Sequence, residues 1–467
     1  MHVTRREFIL QTCQACLGYA AGAAAFAAGI DRFALINAFA QSTEYRALVC
    51  VFLAGGNDGN NTVVPLGTSE YQAYSAVRSA SGLAIPSAEL LPIAPPSAGE
   101  FGLHPSLTGI RDLWAEGKAA VVCNVGPLVQ PLTRASYQAG ASRPYQLFSH
   151  SDQIAQWQSA IADRVSPTGW GGRAADRFEP HASGFPMVTA ISGGLFTRGE
   201  TTAPLSIPAA PTPLNQVLVL NGFSATASDA ARRTSMELLR TIDQENALIR
   251  SASGTVQRAL DIGQMLNVDV TLATTFPNTT LGNQLRQIAK VIKFNASSSS
   301  LGLQRQIFFC QLGGFDTHQG QVTTQANLLT QVSNAITAFH AATVELGLAG
   351  QVTTFTLSDF GRTFQPAGSG AGVVGTDHAW GNHHFVIGGA VHGGDFYGSP
   401  GPNGSVFPTL QLSGPSDTDS RGRWIPTVAV EQYAGTLASW YGVAGTDLPL
   451  VFPNIGRFDS ANLGFMV

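Results

Sequence analysis

Two stretches in the second half of the chain follow one pattern: an amphipathic helix running into an apolar strand that ends in glycine and acid. "LGNQLRQIAKVIKFN" leads to "RQIFFCQLGGFDTH", and "QVTTQANLLTQVSNAITAFHAATVELG" leads to "VTTFTLSDFGRT". Helix and strand alternating at these lengths predict parallel strands joined by crossover helices. The expected fold class is therefore α/β, with a mostly parallel central sheet and helices on both faces. A further strand opens the body of the chain in "EYRALVCVFLAGGNDGNN", and "AAVVCNVG" reads as another. Ligands of such sheets collect at the carboxyl ends of the strands. Three polar clusters, "GGNDGNN", "GGFDTH" and "SDFGRT", all fall at that edge.

Composition narrows what could bind there. Of 467 residues, 44% are hydrophobic and 12% charged, with a net charge of -4, so the chain is too apolar for disorder. Basic residues are few and form no run, which excludes a nucleic-acid partner. At the amino terminus, Arg5 and Arg6 precede a small-residue apolar stretch that ends in Ala38-Phe39-Ala40, an A-x-A cleavage pattern. Paired arginines in that setting read as a twin-arginine signal over residues 1–40, with an uncleaved membrane anchor as the alternative. The expectation is a chain handled by the twin-arginine export machinery and delivered to the periplasm or beyond. Residues 41–467 would then form a single domain with no stable membrane span. Cys13 and Cys16 belong to the signal, and Cys50, Cys123 and Cys310 sit in strand-like apolar runs, as small buried hydrophobes do.

The polar residues gathered at the strand ends are Asp58, Asp316, His318 and Asp359, with His378 and its neighbours in "GTDHAWGNHHFVIGGAVHGG" following. Three carboxylates and at least two imidazoles on one site need a counter-charge, which a divalent metal supplies. Mixed Asp/His ligation suits Zn, Mn or Fe, as one ion or two. Arg362, beside Asp359, could hold an anionic ester oxygen of a small substrate in its fork of donors. Each residue also has a structural reading. Asp58 could build an Asx-turn, Asp316 could cap a helix beginning at Thr317, and Asp359 could pair with Arg362.

Taken together, "FLAGGNDGNNTVVP", "GGFDTHQGQ", "SDFGRT" and "GTDHAWGNHHFVIGGAVHGG" resemble the signature blocks of the DUF1501 family of exported bacterial proteins. That family is similar in turn to the alkaline phosphatase and sulfatase superfamily, which implies an alkaline-phosphatase-like α/β sandwich and metal-dependent hydrolysis of phosphate or sulfate esters. The resemblance makes Asp58 the first metal-binding aspartate. Asp316 and His318 become an Asp/His pair, Asp359 a further ligand, and His378 the last histidine, with His383 or His384 able to substitute. Phe360 stands where the superfamily places a ligand histidine. The implied nucleophile is a hydroxyl at a helix N-terminus, with Ser149 first and Ser136 and Thr133 behind it. No Cys/Ser-x-Pro-x-Arg block is present, which argues against a formylglycine sulfatase. Two other functions remain open. One is a non-catalytic envelope protein that keeps a structural metal while serving ligand binding or assembly. The other is an SGNH-type esterase suggested by "GGND", although that fold expects a Gly-Asp-Ser block before it.

Overall fold

The run "ALVCVFL" forms most of β1 (Arg46–Leu53), and its seven apolar residues are all buried. A strand with no polar face must be covered on both sides and must lie inside a sheet. β1 accordingly pairs in parallel with β8 (Arg305–Leu312) on one edge and with β9 (Val352–Ser358) on the other. The computed structural model describes residues 45–218, 226–297, 301–370 and 372–467. The expected export signal, its cleavage pattern and the Cys13/Cys16 pair lie outside the described residues.

Outward from β8 come β6 (Val188–Ala190) and β7 (Leu205–Ser206), each parallel to its neighbour. Outward from β9 come β10 (Asn382–Gly388), β5 (Ala119–Gly126) and β11 (Phe396–Tyr397), while β12 (Val428–Ala429) also pairs with β5. Only β10 runs against the rest of this nine-stranded sheet, antiparallel to both β9 and β5. β2 (Val63–Pro65), β3 (Leu91–Ile93) and β4 (Phe101–Leu103) make a small separate antiparallel sheet.

The helices, in chain order, are α1 (Thr68–Arg78), α2 (Thr108–Ala115), α3 (His150–Ser159), α4 (Ala227–Thr241), α5 (Ala247–Met265), α6 (Thr280–Ser297), α7 (Gln321–Glu345) and α8 (Val430–Tyr441), besides shorter turns. The two expected helix-to-strand units are α6 followed by β8 and α7 followed by β9. On one face Leu48, Cys50 and Phe52 meet Trp157, Trp170, Phe309, Phe355 and Tyr433 in the main core. Alternation along a strand sends Val49 and Val51 to the other face, where they are equally buried. Cys50, Cys123 and Cys310 are buried free thiols. The polar stretch ahead of α6 forms two helices, α4 and α5. The break falls where Asp243 takes φ 54° and the Asn246 side chain caps the Leu248 amide.

α8 brings one titratable carboxyl into the core. Glu431 is fully buried, and neither carboxylate oxygen has a hydrogen-bond partner among the described residues. Burial, reinforced by the charge of Asp163, pushes its carboxyl from an ordinary 4.5 up to about 8. The folded protein therefore holds a proton that the unfolded chain releases, so this contribution to stability is complete below about 4.5 and declines as pH rises toward 8. The expected slope is about 1.4 kcal/mol per pH unit. Glu431→Gln, which carries the same shape without the charge, should remove that slope in denaturant titrations between pH 5 and 8, taken in the window above. An unchanged slope would show that Glu431 is not its source.

Candidate metal centre

Because eight of the nine strands share one direction, β1, β8 and β9 deliver their exit loops to the same edge, and β10 starts there. The exit of β1 is Gly55-Gly56, at φ +118° and +85°. A Cβ on Gly55 would lie 2.3 Å from the Asp316 amide nitrogen, and one on Gly56 would lie 2.5 Å from the Phe360 ring. Only glycine lets this loop pass between the exits of β8 and β9. The fourth contributor is the start of α3. The backbone approaching it is bent so sharply that Gln146 and Phe148 take φ 46° and 70°, a conformation rare for an aromatic residue.

Three imidazoles converge on Asp316. Its Oδ1 lies 3.0 Å from His318 Nε2 and 3.3 Å from His378 Nε2, and its Oδ2 lies 3.4 Å from His150 Nε2. Each ring is held from behind through Nδ1. His150 Nδ1 is 2.6 Å from Asp359 Oδ2, His318 Nδ1 is 3.1 Å from Asp377 Oδ1, and His378 Nδ1 is 2.8 Å from the Phe148 carbonyl. A carbonyl can only accept, so His378 carries its proton on Nδ1 and turns a bare Nε2 inward. Phe360 walls the pocket, its ring centroid 4.7 Å from that of His150 and 4.6 Å from that of His378.

The charges fit this reading. The hydrogen bond to Asp359 raises the pKa of His150 above the ordinary imidazole value, against the effect of burial. Burial lowers that of His378 and favours its neutral form. Burial works against the charged form of Asp316, but the Arg362 hydrogen bond and charge, with His318 and His150, outweigh it and hold the carboxyl below its usual range.

These residues suit a divalent cation. His150 Nε2 is buried without a hydrogen-bond partner, although it faces Asp316. His318 Nε2 and His378 Nε2 approach to 3.0 Å, where two lone pairs repel unless a proton or cation sits between them. His150, Asp316 and His378 offer ligand atoms that all lie within 4.8 Å of one another. Carboxylate or carbonyl support behind each ring is the outer-shell pattern that orients metal-ligating histidines.

The structure separates the residues singled out in the sequence. Asp316, His318 and His378 come together. Asp359 stands one step behind, 1% exposed, with Oδ1 accepting from the Gly55 amide and Oδ2 engaged by His150 rather than by Arg362. Asp58 lies elsewhere in a closed polar network: Arg78 donates to it at 2.6 Å, as does Gln321, and the Asn60 amide donates at 3.1 Å. His383 is buried away from the cluster, stacked on Phe407 at 4.6 Å, and burial lowers its pKa to about 3. Arg362 donates to Asp316 at 2.8 Å, to the Gly55 carbonyl and to both oxygens of Thr376, so four of its five donors are spent inside the protein. Asp316 caps no helix, since α7 begins at Gln321 behind Gly320. Ser149 precedes α3 as expected, but its hydroxyl donates to Asp152 at 2.6 Å.

His150 and Asp377 were not singled out in the sequence. His150 lies in "FSHSDQ", far from any strand end. Its only signal there is a histidine between two serines able to cap a helix.

The model of a family described as "Protein of unknown function (DUF1501)" matches residues 45–406. No curated protein matches the chain. Among solved structures, the chain is similar to the PsFucS1 sulfatase from Pseudoalteromonas sp., at 10% identity and a TM-score of 0.29, over 78% of this chain and 66% of that one. It therefore spans just under two thirds of that sulfatase. It is also similar to the C-terminal periplasmic domain of EcEptC from Escherichia coli, in complex with Zn, at 9% identity and a TM-score of 0.30, over 74% and 73% of the two chains. A third is the phosphonate monoester hydrolase of Agrobacterium radiobacter, at 8% identity and a TM-score of 0.30, over 87% and 77%.

Proposed function

The chain belongs to the DUF1501 family, and on that premise we propose that it is an exported, metal-dependent hydrolase of phosphate or sulfate esters. The observation that supports this reading is the convergence of three Nε2 atoms on Asp316, each ring braced through Nδ1. In this reading His150, Asp316 and His378 hold one divalent cation, Zn, Mn or Fe, and His318 closes the set from its more exposed side. Such a cation supplies Lewis acidity toward the oxygens of a tetrahedral ester. Asp359 keeps the His150 proton on Nδ1, Asp377 does the same for His318, and Arg362 holds the Asp316 carboxylate in its ionised form. With the Ser149 hydroxyl already given to Asp152, a water is the nucleophile that fits. Residues 1–40 act as the twin-arginine leader and 41–467 as the delivered domain, reaching the periplasm or beyond. Among the described residues no helix is long and apolar enough to cross a membrane.

One observation favours a second reading, a non-catalytic envelope protein with a structural metal: Arg362, the expected anion binder, is buried and gives four of its five N–H donors to protein oxygens. The two are separated by assaying metal-loaded wild type and Asp316→Asn on p-nitrophenyl phosphate and p-nitrophenyl sulfate, with circular dichroism to confirm folding. The hydrolase reading expects turnover of at least one ester that needs added metal and disappears in the variant. Stoichiometric metal without turnover of either ester would favour the structural role.

A further inference from the structure

Beside the cluster stands a loop, residues 413–424, that is fastened from several directions. Asp417, fully buried, accepts from four backbone amides, those of Ser413, Asp419, Gly422 and Arg423, at 2.9 to 3.2 Å. Arg134 donates to the carbonyls of Gly414, Asp417 and Asp419. The loop is also laced to the exit of β9, because the Phe364 amide donates to the Gly422 carbonyl and the Gln365 amide to that of Arg421. Gly422 sits at φ +69°, where a Cβ would lie 2.3 Å from Phe364 Cβ, so the two segments touch backbone to side chain.

The product of this fastening is a pair of arginines at the metal cluster. Arg423 donates from Nε to the His378 carbonyl at 2.9 Å, and its guanidinium lies 4.8 Å from the centroid of Phe148, whose carbonyl fixes His378. Arg423 thus braces the site. Arg421 differs. Its Nη1 donates to Asp377 Oδ2 at 2.7 Å, and among the described residues the rest of its guanidinium has no side-chain or carbonyl partner. Asp377 Oδ1 holds His318, so Arg421, 32% exposed, is tied to the cluster through one shared carboxylate. An exposed ion pair contributes at most about 1 kcal/mol, too little to account for a loop so heavily tied down.

We infer that Arg421 is the anion-binding residue of this site, presenting its free guanidinium edge to a tetrahedral oxyanion, phosphate or sulfate, seated beside the metal cluster. The inference rests on the hydrolase reading and gives Arg421 the task that Arg362 cannot perform. A planar fork offering parallel N–H donors suits two oxygens of such an anion. Asp377, shared by Arg421 and His318, fixes the arginine's position relative to the cluster.

The test is calorimetric titration of inorganic phosphate and of inorganic sulfate into full-length protein loaded with Zn(II) or Mn(II). Wild type, Arg421→Ala and Arg421→Lys are compared after metal content and melting temperature have been measured. The expected result is unchanged metal content and an anion affinity about 10- to 100-fold weaker in Arg421→Ala, the loss of one charge-assisted contact. Arg421→Lys should recover part of it. Whichever anion shows the larger loss identifies the ester class. Metal-loaded wild type that binds neither anion, or equal affinities in wild type and Arg421→Ala, would overturn the inference while leaving the metal centre standing. Wild type that takes up no metal would overturn the hydrolase reading itself.

Discussion

On the proposed reading, replacing His150 with alanine should abolish divalent-metal binding while leaving the protein folded. Among the described residues the His150 Nε2 is the one buried ring nitrogen of the cluster without a hydrogen bond, and the side chain is partly open to solvent, so truncation removes a candidate ligand without opening the core. Metal affinity should fall by about 100-fold or more, because even loss of an outer partner costs roughly 10- to 100-fold. Asp359→Asn tests that outer role directly and should land in the 10- to 100-fold range. The two variants also differ in pH dependence. In wild type a proton on His150 competes with the metal. Its pKa lies above the ordinary 6.5, so affinity should fall as pH drops through that raised value. Asp359→Asn removes the leading cause of the shift, which moves the midpoint of the loss to lower pH. Metal content by mass spectrometry, with competition titrations from about pH 5 to about pH 8, reads both effects. Full metal occupancy in His150→Ala would remove this residue from the centre.

Asp58→Ala should do the reverse, costing stability and sparing the metal. The Arg78 guanidinium is completely buried, and among the described residues Asp58 is its only anionic partner. Removing one member of such a pair leaves a buried charge uncompensated, at a cost of about 3–5 kcal/mol. Arg78 also donates to Asn61 Oδ1 and to the carbonyls of Thr363 and Phe364, which places the expected loss toward the lower end of that range. Gln321 and Asn60 lose their acceptor as well. Chemical denaturation of the two proteins measures the difference, and metal per folded molecule should stay at the wild-type value. Loss of metal without loss of stability would return Asp58 to the ligand set.

These two aspartates show where sequence reasoning reaches its limit. Asp58 and Asp316 both follow a Gly-Gly pair at the end of an apolar strand, and nothing local distinguishes their tasks. The difference lies in what the fold brings opposite each. Asp58 meets Arg78 from α1 and Gln321 from α7, whereas Asp316 meets three imidazoles and Arg362. The expected Asp359–Arg362 pair failed for a similar reason. Those residues are three apart in an irregular segment, and each turns to a different partner, Asp359 to His150 at the start of α3 and Arg362 to Asp316 beyond β8. Phe360, legible as a missing ligand, proves to be the wall on which two histidines lean.

Periodicity in the chain is enough to expect the parallel sheet and its strand-end edge, and to collect Asp316, His318 and His378 there together with Asp58 and Asp359. Those follow from local periodicity and from the single direction that helix-to-strand repeats impose on a sheet. Only the three-dimensional arrangement brings His150 to them, holds Asp58 and His383 apart, and leaves Arg421 with more unengaged donors than the buried Arg362. A ligand set is defined by distances of a few ångströms between atoms hundreds of residues apart. His150 reaches Asp359 across 209 positions of chain, brought there by a strained turn before α3 that no periodicity announces.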